Sequence, residues 1–276
     1  MSDFEVRVRI RRVEPAPKPF SGRLSGVRFE PPSDGVSFEG AQLKDVDFSG
    51  LRIDRYDASG STFERCDFSR AVLRVAGLGL PPRSVYRECR FDRADLRQAD
   101  PGVARFERCS FERARLDRWE CTHNDFVDCR FSGRLRNIAF WAAPHRAPVT
   151  PRTPERFREA MARERPPNEF RGNDFRAADL ESVEFLGGID LDAQLLPDDP
   201  EYARLDIRPE MLDRVEAYVH RVAPDAVRDP FKHLEPLSIL GWLRGRYRGQ
   251  LEVFTKPSSS PTFAVYQELL ARATNE

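Results

Sequence analysis

The sequence has 276 residues, of which 40% are hydrophobic and 33% are charged, so it holds enough apolar material for a core and too much for a disordered chain. Its 45 basic and 45 acidic residues give a formal net charge of zero. No global field therefore draws the molecule onto nucleic acid or anionic lipid, and direct nucleic-acid binding is not expected.

The N-terminus lacks the apolar segment of a signal peptide, and no apolar run approaches the roughly 18 residues that span a bilayer. We therefore predict a cytoplasmic protein without a membrane segment. The five cysteines form an odd set without a Cys-x-x-Cys pair, which argues against a disulfide framework and against a zinc site. Reduced, buried thiols are the expectation.

The chain begins with an N-terminal strand and linker over residues 1–19, in which we predict a strand at Phe4–Val13 and a Pro-rich link after it. A repeat region is predicted over residues 20–138, beginning with an imperfect unit at Leu24–Phe29. Two Pro-containing interruptions, at Pro31–Gly35 and Leu80–Arg83, are typical of small loops at corners of the repeat.

Within the repeat region a large apolar residue recurs at every fifth position, and a small residue lies two positions before it. Most of the remaining residues are polar. Neither a helix of period 3.6 nor a strand of period 2 keeps such a pattern on one side, whereas a chain that turns a corner every five residues does. The sequence therefore predicts a stack of coils with a common interior.

Residues about twenty apart share a character, which indicates four five-residue units per coil once a three-residue slip at Leu80-Pro-Pro is allowed for. We predict three interior columns, made of Phe48, Phe68, Phe91, Phe111 and Phe131, of Cys66, Cys89, Cys109 and Cys129, and of Leu73, Leu96 and Leu116. Thiols stacked at the strand spacing of roughly 4.8 Å do not converge as zinc ligands must, so a structural role is favoured.

The motif (Ala/Cys)-(Asp/Arg)-(Leu/Phe)-x-x, as in Ala94-Asp-Leu-Arg-Gln and Cys109-Ser-Phe-Glu-Arg, resembles that of the pentapeptide-repeat family. The resemblance runs from about Val36 to Phe131 and recurs from Asn168 to Phe185. It implies a mainly β fold, a right-handed quadrilateral β-helix. Family members often dimerise through their C-terminal end, so a homodimer through that region is expected by resemblance.

The repeat is interrupted over residues 139–167, where Thr153-Pro-Glu-Arg has the pattern of a helix start, so we predict a helical insertion. A final coil follows over 168–194. From residue 195 to 276 the five-residue pattern is lost, and apolar spacing predicts a small α-helical C-terminal region with helices near Arg208–Val222, Ser238–Arg248 and Thr262–Ala273.

No nucleotide-binding, hydrolase or metalloenzyme motif occurs, and the four histidines have no partner at ligand spacing, so neither an enzyme nor a cofactor is expected. His123 is predicted to be solvated at an outward repeat position. The basic and aromatic stretch around Trp242, Arg244, Arg246 and Arg248 is a candidate partner-binding segment. A cationic helix end explains the same residues without any ligand.

Three functions stay open. The first is a non-catalytic scaffold that binds a protein partner. The second is implied by the resemblance: some pentapeptide-repeat proteins mimic duplex DNA, bind DNA gyrase and confer resistance or self-immunity to topoisomerase poisons. Residues 36–132 carry 17 acidic and 17 basic residues, which weakens that alternative unless the acids gather on one face. The third is small-molecule binding at the junction of rod, insertion and C-terminal region.

Overall fold

The computed structural model describes residues 19–31, 35–142, 167–207, 209–222, 251–255 and 271. Its strands, in chain order, are β1 Pro19–Phe20, β2 Arg23–Ser25, β3 Val36–Glu39, β4 Gln42–Lys44, β5 Arg52–Ser59, β6 Thr62–Glu64, β7 Val72–Leu80, β8 Ser84–Arg87, β9 Ala99–Asp100, β10 Ala104–Glu107, β11 Ser110–Glu112, β12 Glu120–Cys121, β13 Asp125–Val127, β14 Arg130–Trp141, β15 Phe170–Arg171, β16 Asp174–Leu186, β17 Ala203–Ile207 and β18 Leu251–Thr255. One helix, α1, spans Pro209–Val222.

The strands stack in parallel as about six coils, each with four faces that we name A to D in chain order. Face A contains β1, β3 and β9, and face B contains β2, β4, β6, β8, β10, β13 and β15. Face C contains β11 and the isolated bridges from Arg28 to Ser110. Face D contains the first halves of β5 and β7, which turn a corner into face A. The fold is thus the pentapeptide-repeat β-helix that the sequence predicts.

Each face places one large side chain inside, and the same positions stack from coil to coil. On face C, Phe48, Phe68, Phe91, Phe111, Phe131 and Phe175 form a column of parallel rings with centroids 4.5, 4.9, 5.0, 5.0 and 4.6 Å apart. Face B repeats this stacking with Phe63, Tyr86, Phe106 and Phe126. Because offset ring stacks add to the burial of their area, these columns hold the coils in register.

Face A departs from the rule of one small and one large inward residue. Ala58 occupies the central slot, and Tyr56 fills the position two residues earlier that elsewhere holds a small side chain. The Tyr56 hydroxyl lies 3.1 Å from that of Tyr86, which donates to the Leu78 carbonyl at 2.8 Å. The buried phenols are therefore satisfied inside the rod, as buried polar groups must be.

The corners are made by residues with positive φ. Several are glycines, but arginine, aspartate or glutamate also occupies this left-handed region at Asp45, Arg65, Arg70, Glu88, Arg93, Arg108, Arg113, Arg118 and Asp128. Residues other than glycine adopt this conformation at a cost of about 1 to 2 kcal/mol, which the packing and hydrogen bonding of the coil offset.

The upper coils extend past the predicted boundary at residue 138. Strand β14 continues to Trp141, the Ala142 amide donates to the Leu186 carbonyl, and the Asn168 amide donates to the Ala142 carbonyl. The coil therefore closes directly from residue 142 to residue 168 around the insertion. The insertion helix predicted near Thr153 and the strand predicted at Phe4–Val13 lie outside the described residues.

The C-terminal region contributes strands as well as a helix. Helix α1 matches the helical spacing of the sequence, with Val215 and Tyr218 buried. Strand β18 pairs antiparallel with β16 and with β17, a pairing that helical spacing did not predict. The helices predicted at 238–248 and 262–273 fall on residues of which the structure describes only residue 271. None of the helices it describes is long and apolar enough to cross a bilayer.

Candidate interaction surface

The predicted column residues lie inside the rod. All twelve are at most 1% exposed: Phe48, Phe68, Phe91, Phe111, Phe131, Cys66, Cys89, Cys109, Cys129, Leu73, Leu96 and Leu116. Leu73, Leu96 and Leu116 follow one another on face D, as the bridges from Val72 through Asp95 to Arg115 show. These side chains build the core, so a partner can contact only the outward positions.

The thiols on face C form a regular interior ladder. The thiols of Cys89, Cys109 and Cys129 each donate to the carbonyl of the large face B residue 23 or 26 positions earlier, at 3.3 to 3.4 Å. Asn173 continues the ladder: its amide donates to the Phe126 carbonyl at 2.9 Å, and its side-chain oxygen accepts from the Cys129 amide at 3.0 Å. All five cysteines are free and buried.

Four of the five thiols are held in the protonated form, those of Cys89, Cys109 and Cys129 in the ladder and that of Cys121 on face A. Burial raises the pKa of the Cys89, Cys109, Cys121 and Cys129 thiols well above its ordinary value, so they stay protonated and unreactive. In the ranges that the structure describes, no group of three or more His, Cys, Asp or Glu side chains is arranged to hold a metal ion.

The prediction that His123 is solvated was wrong. The residue is only 7% exposed, and its Nδ1 lies 2.8 Å from the Thr122 hydroxyl. Outward repeat positions are exposed only where the chain keeps the regular turn. The coil around residue 123 instead packs beneath the segment that resumes at Asn168, whose side chain donates to the Thr122 carbonyl at 3.0 Å.

The edge between faces B and C carries charges of alternating sign. Its corner column consists of Gly26, Asp45, Arg65, Glu88, Arg108, Asp128 and Gly172. Arg65 binds Asp45 in the coil below at 2.8 Å, and Arg108 binds Glu88 at 3.0 Å. The charges on this edge are therefore largely neutralised within the rod.

The edge between faces C and D has the opposite character. Its corner column is Gly50, Arg70, Arg93, Arg113 and Gly133. The three arginines occupy consecutive coils, so their Cα atoms rise by roughly 4.8 Å per step, and all three side chains are exposed. Across the described ranges, none of them has an ion-pair partner within 4 Å. We call these three residues the arginine column.

A groove of about 830 Å³ runs along the arginine column. Its face C wall carries Asp67, Asp92 and Glu112, but each of these carboxylates is already engaged. Asp67 accepts from Arg90 at 2.5 Å, Asp92 accepts from the Ser110 hydroxyl and from the Glu112 amide, and Glu112 lies 3.8 Å from Arg130. Asp92 has only neutral donors and keeps its negative charge, so among the described residues the groove holds three arginines and one carboxylate without an ion pair, and its net charge is positive.

A second groove of about 740 Å³ lies over face D and its corner with face A, lined in part by Arg52 of face D and Arg118 of that corner. Neither arginine has an ion pair among the described residues, whereas Arg97 and Arg115 share Asp95 between them. Face D is thus flanked on both sides by arginines without carboxylate partners. Residue spacing in the sequence does not reveal these arginines, because ion pairing depends on which residues the coil places above one another.

Face A carries the complementary charge. The outward positions of its strands hold Glu39, Asp57, Asp100, Glu120 and Glu184, while Arg55, at the corner that precedes Tyr56, is a basic residue in the same strand as Asp57. Face A is therefore net acidic, whereas the acids of face C, such as Asp47 and Asp67, lie beside arginines.

The five-residue register and the four-faced coil are those of the pentapeptide-repeat β-helix. No protein-family model matches the chain, and no curated protein matches it. The candidate segment at Trp242, Arg244, Arg246 and Arg248 lies outside the described residues, so its role in partner binding stays a prediction.

Solved structures with a similar fold include full-length QnrB1, a plasmid-mediated fluoroquinolone resistance protein, which is 16% identical over 65% of this chain and 92% of that chain with a TM-score of 0.32. A trypsin-treated form of QnrB1 gives a TM-score of 0.35 at 16% identity, over 65% of this chain and 89% of that chain. HetL from Nostoc sp. strain PCC 7120, a pentapeptide-repeat protein involved in heterocyst differentiation regulation, is 16% identical over 65% of this chain and 91% of that chain, with a TM-score of 0.18. Superpositions this loose carry no argument about partner or role.

Proposed function

We propose that this chain is a non-catalytic scaffold that binds a protein partner through its outward surface. The observation that supports the proposal is the difference between the inward and the outward positions of the rod. Inward positions are filled by stacked rings, thiols and leucines, while the described outward positions form flat faces and open grooves. A rigid surface of this kind binds at little entropic cost, because few of its backbone groups are ordered on binding.

The test is affinity capture from a related bacterium with the full chain as bait. The captured protein is then purified, and its binding to the purified chain is measured. A matched bait lacks residues 143–166, which the coil bypasses through the Asn168 amide and the Ala142 carbonyl. A one-to-one complex of the purified components with micromolar or tighter affinity is the expected result. The proposal would be overturned if no captured protein bound the chain again after purification.

A second candidate, DNA gyrase binding by DNA mimicry, is favoured by the acidic outward positions of face A. The family resemblance implies this activity. Carboxylates along a rod-shaped surface would imitate the negative charge of duplex DNA. A supercoiling assay measures it: the protein should inhibit gyrase, or protect it from a quinolone, at micromolar concentration. Unchanged supercoiling in both settings would dismiss this candidate.

Small-molecule binding at the junction of rod and insertion stays a prediction, since the insertion lies outside the described residues. The cytoplasmic location also stays a prediction; the five free thiols fit a reducing compartment. So does the homodimer through the C-terminal region.

A further inference from the structure

The arginine column stacks three like charges on neighbouring coils although the fold does not require it. Gly50 and Gly133 occupy the same corner column, which shows that a corner here forms without a charged side chain. On the edge between faces B and C, the same kind of corner alternates Asp, Arg and Glu. Like charges on neighbouring coils repel one another, a repulsion that the alternating signs of the other edge avoid.

The charge of the column is available to a ligand. Arg70, Arg93 and Arg113 are exposed, and among the described residues they make no ion pair, whereas the carboxylates of the same groove are engaged by Arg90, Ser110 and Arg130. A guanidinium presents a planar fork of donors that matches a carboxylate with two hydrogen bonds. The column therefore offers three such forks along about two coil rises.

The groove favours an acidic polypeptide over a nucleic acid. A phosphate backbone carries negative charge at close and regular intervals and cannot avoid the carboxylates Asp67, Asp92 and Glu112 along one wall, whereas a polypeptide can place neutral side chains there and acidic ones on the arginines. The groove lining contains no aromatic side chain for base stacking. It does contain Ser49, Ser69 and Ser132, whose hydroxyls suit the amides and mixed side chains of a protein segment.

We infer that the arginine column and its groove bind an acidic segment of a protein partner, with carboxylates of the segment on Arg70, Arg93 and Arg113. This inference deepens the proposed scaffold function and rests on it. The acidic segment lies along the rod axis, because the column does. Its affinity falls with salt, because all three arginines are in contact with solvent.

The chain itself offers substitutions that preserve the corner. Arg93→Gly and Arg113→Gly reproduce the residue found at Gly50 and Gly133, so R93G/R113G should fold. The matched control is R65G/R108G, which removes two corner arginines from the paired edge, where Gly26 and Gly172 occupy the same column. Both variants lose two positive charges, so a difference between them reports the location of the charge and not the net charge.

The probes are fluorescein-labelled poly-L-glutamate and a labelled 20-base-pair DNA duplex, titrated with each protein at 50 mM and 200 mM salt. The inference predicts that poly-L-glutamate binds the unaltered protein, that R93G/R113G weakens binding at least fivefold, and that R65G/R108G changes it less than twofold. Circular dichroism and thermal unfolding establish that each variant is folded.

Three results would overturn the inference: duplex binding that R93G/R113G weakens while poly-L-glutamate does not bind, no binding of either probe at 50 mM salt, or equal losses in the two variants. The purified partner from affinity capture separates this failure from that of the scaffold proposal. A partner whose affinity is the same for all three proteins would contradict the arginine site and leave the scaffold function standing.

Discussion

At the scale of single residues, the interior of this rod is specified by hydrogen bonds as much as by volume. Several small inward side chains donate to backbone carbonyls of the coil below. Cys109 donates to Tyr86, Asn124 to Pro101 at 3.0 Å, and Asn173 to Phe126. Cysteine and asparagine are thus interchangeable solutions at one position, because each is small and each can donate.

Asn173 has the more demanding role, since it both donates to the Phe126 carbonyl and accepts from the Cys129 amide. Asn173→Ala removes a donor to the Phe126 carbonyl and the acceptor of the Cys129 amide in a buried site. We expect the free energy of unfolding, measured by urea denaturation, to fall by about 2 to 4 kcal/mol. Asn137→Gly, at an exposed corner with φ of 52°, is the control and should change it by less than about 0.5 kcal/mol. A loss below about 1 kcal/mol for Asn173→Ala would show that the amide is not needed there.

The thiol ladder makes stability sensitive to alkaline pH. Burial raises the pKa of the Cys89, Cys109, Cys121 and Cys129 thiols, while a hydrogen bond from Cys89 lowers the pKa of Cys66. Above the ordinary thiol pKa of 9.0, the unfolded chain loses these four protons while the folded chain keeps them. The unfolded state is therefore favoured as pH rises, by roughly 1.4 kcal/mol per pH unit for each thiol.

Urea denaturation between pH 7 and pH 10.5 measures this effect. The free energy of unfolding should be nearly constant up to about pH 8 and then fall steeply. In Cys109→Ala the slope above pH 9 should be smaller by roughly 1.4 kcal/mol per pH unit, because one titrating group has been removed. Equal slopes in the two proteins would mean that the thiols ionise inside the fold.

At the scale of the element, the structural unit is one five-residue side of a coil together with the corner that ends it. The sequence reveals the inward pair of this unit, because Phe91 and Phe111 or Cys89 and Cys109 repeat at a fixed spacing. It does not reveal that Arg93 and Arg113 have positive φ, since arginine carries no propensity for that region. A single glycine, Gly133, also serves as corner and small residue together, so that Leu135 follows Phe131 by four residues and the five-residue count fails there.

The corner conformation predicts different effects for two substitutions at Arg93, whose φ is 57°. Arg93→Val places a β-branched side chain in the left-handed region and should lower the free energy of unfolding by about 1 to 2 kcal/mol. Arg93→Gly relieves that strain and should leave stability within about 1 kcal/mol of the unaltered protein. Urea denaturation of both variants decides the matter, and a valine variant as stable as the glycine variant would contradict the corner assignment.

At the scale of the whole molecule, neutrality of the sequence conceals segregation of charge. Acids occupy the outward positions of face A, signs alternate and pair between faces B and C, and arginines without ion pairs flank face D. The zero net charge excluded a global field correctly, but it could not show these edges, because pairing depends on which residues the coil superimposes. Strands β17 and β18 were missed for a similar reason, since β16, the partner of β18, lies more than sixty residues earlier in the chain.

All these inferences depend on the stacking of residues one coil apart, and the cysteines allow this to be measured directly. Anomalous diffraction from the native sulfur atoms of a crystal of this protein locates each thiol without reference to any chain tracing. We predict four peaks in one row, from Cys66, Cys89, Cys109 and Cys129, with neighbours roughly 5 Å apart along the rod axis, and a separate peak from Cys121 on another face. Four peaks scattered around the rod would contradict the four-sided coil, and with it the arginine column.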